Sequence, residues 1–238
     1  MGQLHDVSPE LKTDSSTILT VSNLSVKLQQ ETILDNISFK VGRGTTVAIV
    51  GPNGAGKTTL LKVLLGLVPH IGEIKFEGKV RIGYVPQQFL VPDVPITVSE
   101  FLSLKSKIDF EDSLHSVGLD AKNILHKRMN VISGGEMQRV LIAWAIVDKP
   151  DILLFDEPTT NVDIGSEEII YETLNKLEKA LGMTILLISH DMHVVTHYSD
   201  YVLALNKSVI FYGDPKKLSD PLLLKKIYGT EALAKHEH

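Results

Sequence analysis

Residues 51–58 constrain the fold of this chain more than any other stretch, because they read Gly-Pro-Asn-Gly-Ala-Gly-Lys-Thr. This sequence fits the phosphate-binding loop pattern of Gly, four residues and Gly-Lys-Thr. Glycines let the backbone curl, so that N–H groups and the N-terminus of a following helix point at phosphate oxygens. Lys57 should reach the β- and γ-phosphates, and the Thr58 hydroxyl should take one position on Mg²⁺.

The residues on both sides of the loop support this interpretation. Residues 46–50 form an apolar run suited to a strand that is buried on both faces. Leucines then recur at helical spacing: Leu60, Leu61, Leu64 and Leu65. Gly66 occupies a helix C-cap position and Pro69 blocks continuation of the helix. The order of strand, loop and helix predicts a nucleoside triphosphate site and disfavours a glycine-rich turn that binds nothing.

Composition limits the classes of protein that remain. A chain of 238 residues has room for one large α/β domain with a subdomain. A net charge of −5 gives no electrostatic footprint for nucleic acid. The absence of cysteine excludes disulfides and Cys-based metal sites. No secretory signal is visible and the longest apolar run, 140–147, is too short to cross a bilayer, so we expect a cytosolic protein.

The N-terminal third predicts antiparallel strands. Residues 1–16 are polar and aperiodic, and we interpret them as a leader before a single domain at 17–238. Apolar and polar residues alternate over 18–28 and 37–41, which indicates half-buried strands. A similar region covers 74–85, with Glu77-Gly78 as its expected hairpin turn.

Short helical patterns replace the strands further on, and we expect a helical subdomain inserted over about 89–148. The stretch from Thr97 to Glu100 is a capping box that opens one helix, and Gly118 should end the next. A second capping box spans Ser133 to Glu136. Behind it we expect an apolar stripe of Met137, Leu141, Trp144 and Val147. By itself this box is better explained as a capped helix start than as an anion site.

Two carboxylates follow a buried strand at 152–155. Asp156 fits the acidic residue that holds Mg²⁺ in phosphate-loop enzymes, and Glu157 is placed to take a proton from an attacking water. A solvated acidic turn is the alternative, which the phosphate loop in the same chain disfavours. A strand at 184–188 ends beside His190, whose imidazole could bind the γ-phosphate at the same sheet edge.

The remaining patterns predict scaffold elements. A helix over about 166–181 should place four residues inward: Ile170, Leu174, Leu177 and Leu181. We expect a hairpin at Asn206-Lys207, and helix starts at Asp214-Pro215 and Asp220-Pro221 with proline in the first turn. His193 and His197 lie four apart on a predicted helix, and His236 and His238 lie in the last three residues. Solvated histidines are the better interpretation, because a zinc motif needs more than two ligands.

With these residues assembled, the chain resembles the ATP-binding cassette ATPases from about Leu19 to Leu218. Residues 83–87 look like the Q-loop of that family, 132–136 like its signature, and 152–158 like its Walker B strand. Residues 160–163 look like the D-loop with Asp163, and His190 is similar to the switch histidine. The positions that match the family's ATP contacts are Leu28, Gly51, Pro52, Asn53, Gly54, Ala55, Gly56, Lys57, Thr58 and Thr59.

The resemblance implies a P-loop α/β fold with a mostly parallel sheet, an antiparallel β region and a helical subdomain. It implies MgATP hydrolysis with Lys57, Gln87, Glu157 and His190 as catalytic residues, and with Mg²⁺ held by Thr58, Gln87 and Asp156. In the family a second copy supplies the signature, here Ser133, Gly134, Gly135 and Glu136. A homodimer on the cytoplasmic face of the membrane, coupled to permease subunits and indirectly to a metal-binding protein, is therefore expected.

Within the family, residues 79–87, 96–98 and 133–141 are most like the ATPases of bacterial zinc-uptake importers. Manganese and iron-chelate importers share much of that pattern, and exporters remain an alternative. A soluble cassette protein acting on ribosomes or DNA, or a binding module without turnover, fits less well. Two departures stand out: Ile132 and Glu136 replace the usual Leu and Gln, and Leu28 replaces the aromatic that stacks on adenine.

Overall fold

The computed structural model describes residues 17–87, 96–105, 109–157 and 164–229. The predicted leader, Asp163 and the histidines at 236 and 238 lie outside these ranges. The strands are β1 (Thr17–Leu28), β2 (Glu31–Gly42), β3 (Thr46–Val50), β4 (Ile71–Phe76), β5 (Ile82–Val85), β6 (Ile152–Asp156), β7 (Thr184–Ile188), β8 (Tyr201–Asn206) and β9 (Ser208–Gly213). The helices are α1 (Lys57–Leu64), α2 (Val98–Ser103), α3 (Glu111–Ser116), α4 (Ala121–Ile124), α5 (Gly134–Ile146), α6 (Ile164–Leu181), α7 (Met192–Tyr198), a 3₁₀ helix (Pro215–Ser219) and α8 (Pro221–Tyr228).

The described residues divide into two compact units, one within residues 1–80 and 186–238 and the other within residues 81–185. The first unit contains an antiparallel sheet in the order β2-β1-β4. It also contains β3, which pairs in parallel with β8, while β9 pairs with β8 in the antiparallel direction. The antiparallel strands and the parallel pairing confirm the predicted fold class.

The core of the first unit explains why the phosphate loop begins where it does. All five residues of β3 are buried, which is what a continuous apolar run on a doubly covered strand requires. Ala48 and Val50 pack with Val202 and Ala204 of β8 and with Ile227 of α8. The strand that leads into the loop is therefore held on both faces, and the loop itself starts from a rigid base.

The second unit places β5 and β6 side by side in parallel, so that Val85 lies opposite Phe155. Helices α2, α3, α4 and α5 belong to this unit and fall inside the range predicted for the helical subdomain. The limits of that subdomain stay a prediction. Within the described ranges, no helix is both long and apolar enough to span a membrane.

Three expectations were wrong in detail. The hairpin at Glu77-Gly78 does not form, because β4 pairs with β1 whereas β5 pairs with β6. Leu181 is 59% exposed, because α6 ends at that residue. Of the apolar stripe predicted for α5, only Leu141 is buried, whereas Met137, Trp144 and Val147 are half-buried. Most of the buried face is formed by other residues of the helix: Val140, Ile142, Ala143, Ala145 and Ile146. The remaining helix starts are confirmed, and the hairpin at Asn206-Lys207 forms between β8 and β9.

Candidate nucleotide-binding site

The phosphate loop joins β3 to α1 and requires glycine at both of its ends. At Gly51 (φ +147°), a Cβ atom would lie 2.0 Å from the carbonyl oxygen of Leu205. At Gly56 (φ +94°), a Cβ atom would lie 2.5 Å from the Leu34 side chain. Side chains at these positions would collide with Leu205 and Leu34, so the loop conformation depends on both glycines.

Lys57 turns back into the loop. Its side-chain nitrogen donates to the carbonyl oxygens of Gly51 and Pro52 at 2.9 and 3.1 Å, and only 6% of the residue is exposed. Among the described residues, no side chain caps the start of α1 at Gly56, unlike α2 and α5 with their capping boxes. A buried ammonium and an uncapped helix N-terminus together favour an anion at this loop.

The turn between β8 and β9 supports the loop from the side, which the sequence did not reveal. The N–H of Lys207 donates to the carbonyl of Ala55 at 3.1 Å, and its own carbonyl accepts from Asp35 N–H at 2.7 Å. Burial raises the pKa of Tyr228 on α8, and a hydrogen bond with the Gly51 backbone opposes that rise. Contacts over such long sequence separations leave no local pattern.

Leu28 and His190 lie in the same unit as the loop. Leu28 is the last residue of β1 and is 41% exposed, as a residue that contacts a ligand base would need to be. His190 is exposed and follows Ser189, whose N–H donates to the carbonyl of Ile49 at 3.4 Å. Ile49 is two residues from Gly51, so His190 follows the strand end that adjoins the loop.

The second unit places Asp156, Glu157 and Gln87 at the carboxyl ends of β5 and β6, where Asp156 is the last residue of β6. Asp156 is 1% exposed, and the hydroxyl of Tyr84 donates to its carboxylate at 3.4 Å. The side-chain amide of Gln87 donates to the carboxylate of Glu157. Burial raises the pKa of Tyr84 to about 12, and the charge of Asp156 adds to this rise. The sequence did not predict a role for Tyr84.

Glu157 adopts a left-handed backbone conformation, with φ +47°. Non-glycine residues rarely do so, and such strain often marks functional positions. The carboxylate is fixed by this turn and by Gln87, both of which lie in the second unit. This arrangement fits a side chain that must keep one orientation while it accepts a proton.

The signature residues open α5 with the predicted capping box. The Ser133 hydroxyl accepts from Glu136 N–H at 3.1 Å, and Glu136 accepts from Ser133 N–H at 2.9 Å. Ser133 and Gly134 are exposed, so the front of this helix N-terminus is accessible on the second unit. Asp163, the D-loop candidate, lies outside the described residues.

Residues 34–160 match the family model described as ABC transporter. The chain belongs to this family and thereby to the ATPases that power membrane transporters. The zinc import ATP-binding protein ZnuC of Wigglesworthia glossinidia brevipalpis is 38% identical over 93% of this chain and 99% of that protein. ZnuC of Haemophilus influenzae is 40% identical over 90% of this chain and 81% of its own length.

Among solved structures, the dimeric ATP-binding cassette MJ0796 bound to ADP and Pi is similar to this chain. It has 27% sequence identity and a TM-score of 0.71, over 83% of this chain and 99% of that one. That protein was captured as a dimer in a post-hydrolysis state. The family resemblance expected from the sequence is therefore confirmed.

Proposed function

We propose that this chain is the ATPase subunit of a zinc importer and that it works as a homodimer beneath separate permease subunits. The observation that carries the proposal is the likeness to zinc import ATP-binding proteins over 93% of the chain, at 38% identity. Such a likeness extends beyond the ATP-binding motifs, which all cassette ATPases share.

ATP is bound by the phosphate loop in this proposal. The ATP phosphates compete with the Gly51 and Pro52 carbonyls for the ammonium of Lys57. The N–H groups at the start of α1 bind the same phosphate oxygens. Thr59 lies in the first turn of α1 and also contacts the phosphates at this end of the helix. Leu28 covers one face of the base with apolar surface.

By resemblance to the family, three oxygen donors would hold Mg²⁺: the Thr58 hydroxyl, the Gln87 amide oxygen and the Asp156 carboxylate. Mg²⁺ prefers oxygen ligands and keeps several waters beside one or two carboxylates and the substrate phosphates. The hydroxyl of Tyr84 holds one oxygen of Asp156. When bound, the ion neutralises charge that develops on the phosphate oxygens.

Glu157 acts as the general base. It accepts a proton from water as the water oxygen attacks the γ-phosphorus, the bond to the β-phosphate oxygen breaks, and ADP leaves with inorganic phosphate as the second product. Gln87 holds the Glu157 carboxylate by the hydrogen bond described above. His190 binds the γ-phosphate and keeps the water in line.

The signature completes the site from the second subunit. Ser133, Gly134 and Gly135 present a helix N-terminus to the γ-phosphate held by the partner. Two such sites close when ATP binds and reopen after hydrolysis. Similarity to a cassette that was captured as a dimer with ADP and Pi supports this arrangement.

Permease subunits receive the movement at the cytoplasmic face of the membrane, and a zinc-binding protein delivers the metal to them. Affinity purification of the tagged chain from native membranes tests this assembly. We expect a polytopic membrane protein to co-purify at a constant ratio. Recovery of ribosomal proteins or DNA-repair proteins instead would contradict the proposal.

A further inference from the structure

Glu136 gives the signature a negative charge that the family pattern lacks, because neutral glutamine is commonest at this position. Its two carboxylate oxygens have different partners. One accepts from the Ser133 N–H at 2.9 Å and completes the capping box, whereas the other lies 2.8 Å from the side-chain nitrogen of Lys127. The carboxylate therefore joins the signature turn to a cation nine residues earlier in the chain.

Lys127 is itself held by backbone contacts. Its N–H donates to the carbonyl of Ile124 at 3.0 Å, and its carbonyl accepts from Val98 N–H at 2.9 Å, where α2 begins. The neighbouring Met129 N–H donates to the Ile96 carbonyl at 2.9 Å. The ammonium is therefore delivered to Glu136 from a fixed stretch of chain between α4 and α5.

Chemistry explains why the pair is needed. Glutamine and glutamate both complete a capping box, so Lys127 is not required for the turn. Glutamate, however, adds a negative charge beside a helix N-terminus that, under the proposed function, meets the γ-phosphate of a second subunit. Like charges opposed at an interface weaken association. The hydrogen bond from Lys127 is the main cause that lowers the pKa of Glu136, with the Ser133 N–H second.

We propose that Lys127 is a positioning residue for ATP-driven dimerisation, and that its ammonium neutralises Glu136 so that the signature can accept the triphosphate of the partner subunit. This inference rests on the proposed function. The Lys127 and Glu136 side chains are 43% and 24% exposed, and such pairs contribute little to the stability of a folded chain. Their effect should therefore appear in dimerisation.

The test uses the full chain with Glu157→Gln, which should keep the ATP-bound dimer intact. Sedimentation velocity with MgATP gives the dimer dissociation constant of this parent. The same measurement is made on four variants that each carry a further change in the parent: Lys127→Ala, Lys127→Arg, Glu136→Gln and the double change Lys127→Ala/Glu136→Gln. We expect Lys127→Ala to weaken dimerisation about tenfold, in line with like-charge opposition at an interface. Lys127→Arg should remain within about twofold of the parent, because it keeps the charge.

Glu136→Gln provides the decisive comparison. It removes the charge that Lys127 neutralises, so the double variant should dimerise about as well as Glu136→Gln alone. The loss in Lys127→Ala should also shrink as salt rises from about 0.05 M to 0.5 M, since screening weakens exposed charges. Lys122→Ala is the matched control, because Lys122 is an exposed cation on α4, outside this ion pair. It should change dimerisation less than twofold.

A double variant as weak as Lys127→Ala would overturn the inference, and so would an equal loss in Lys122→Ala. If the Glu157→Gln parent fails to dimerise with MgATP, the proposed dimer mechanism is overturned and this inference with it. A parent that dimerises while Lys127→Ala matches it overturns this inference alone. Nucleotide affinity of the monomer should be equal in all variants, because the phosphate loop is untouched.

Discussion

The side-chain amide of Gln87 donates a hydrogen bond to the carboxylate of Glu157, across the ends of two parallel neighbouring strands. Glu157 has a left-handed backbone there, so both its main chain and its side chain are restrained. This contact connects the proposed general base to Gln87, in the segment that resembles the Q-loop of the family.

Glu157→Gln tests the assignment of the base. A glutamine keeps the size of the side chain but cannot accept the proton, so we expect MgATP binding to persist while hydrolysis slows by about 10²–10⁴. Single-turnover phosphate release measures the chemical step, and equilibrium titration measures binding. Turnover at the parental rate would exclude Glu157 as the base and make His190 the candidate.

Gly56→Ala tests the fit of the phosphate loop. The new Cβ would meet Leu34 at 2.5 Å and the Ile33 carbonyl at 2.9 Å, with φ at +94°. We expect nucleotide binding to be lost and the free energy of unfolding to fall by at least about 2 kcal/mol. Denaturant unfolding and nucleotide titration measure the two effects.

Gly66→Ala is the matched control for that substitution. Gly66 also has positive φ (+72°), but its added Cβ would meet no described residue within 4 Å apart from its own neighbours in the chain. Only backbone strain of about 1–2 kcal/mol should result, and nucleotide affinity should be retained. Equal losses of binding in the two variants would show that strain, and not the collision at Leu34, disables the loop.

Tyr84→Phe tests the buried position of Tyr84 beside Asp156 through the pH dependence of stability. The pKa of Tyr84 is raised to about 12 in the folded chain, first by burial and then by Asp156. In the unfolded chain it is about 10. Because the folded pKa is the higher one, the stabilising contribution is complete below pH 10 and is lost as pH rises from about 10 to 12.

Phenylalanine has no hydroxyl that can ionise. Between about pH 10 and pH 12, the free energy of unfolding of Tyr84→Phe should therefore fall less than that of the parent. Urea unfolding at about pH 9 and pH 11.5 measures the difference. An equal loss of unfolding free energy in the two proteins would contradict a raised pKa for Tyr84 in the folded chain. Tyr212 is a useful comparison, because burial also raises its pKa, whereas its hydroxyl donates to the carbonyl of Lys40 and not to Asp156.

Leu28→Tyr tests the contact with the base. Leucine offers no π-face, so the stacking that contributes about 0.5–1.5 kcal/mol beyond burial should be missing in the parent. We expect GTP to bind nearly as well as ATP, and Leu28→Tyr to tighten purine nucleotides by about tenfold at most. Competition titrations measure both. If Leu28→Ala leaves affinity unchanged while a substitution of Lys27 weakens it, the base lies elsewhere.

Local patterns were sufficient for the elements that carry the chemistry. The phosphate loop, both capping boxes and the strand before Asp156 are encoded by adjacent residues, and each was found at its predicted position. The pairing of strands was harder to predict. Glu77-Gly78 has the composition of a hairpin turn, but the strands on its two sides pair with different partners, β4 with β1 and β5 with β6.

Contacts between residues far apart in the chain could not be predicted at all. Tyr84 reaches Asp156 over 72 residues, and the Lys207 N–H reaches the Ala55 carbonyl from the far end of the sequence. Neither contact depends on a periodicity or a short motif. Each arises because parallel pairing brings remote strand ends to one edge.

Zinc transport by the assembled complex is the most direct measurement of the central claim. The chain is purified with the permease that accompanies it, placed in lipid vesicles, and supplied with MgATP and a zinc-loaded binding protein. The account predicts zinc uptake that requires ATP and fails in the Glu157→Gln complex, while manganese and iron chelates are taken up poorly. ATP-dependent uptake of manganese but not zinc, or movement of substrate in the export direction, would contradict it.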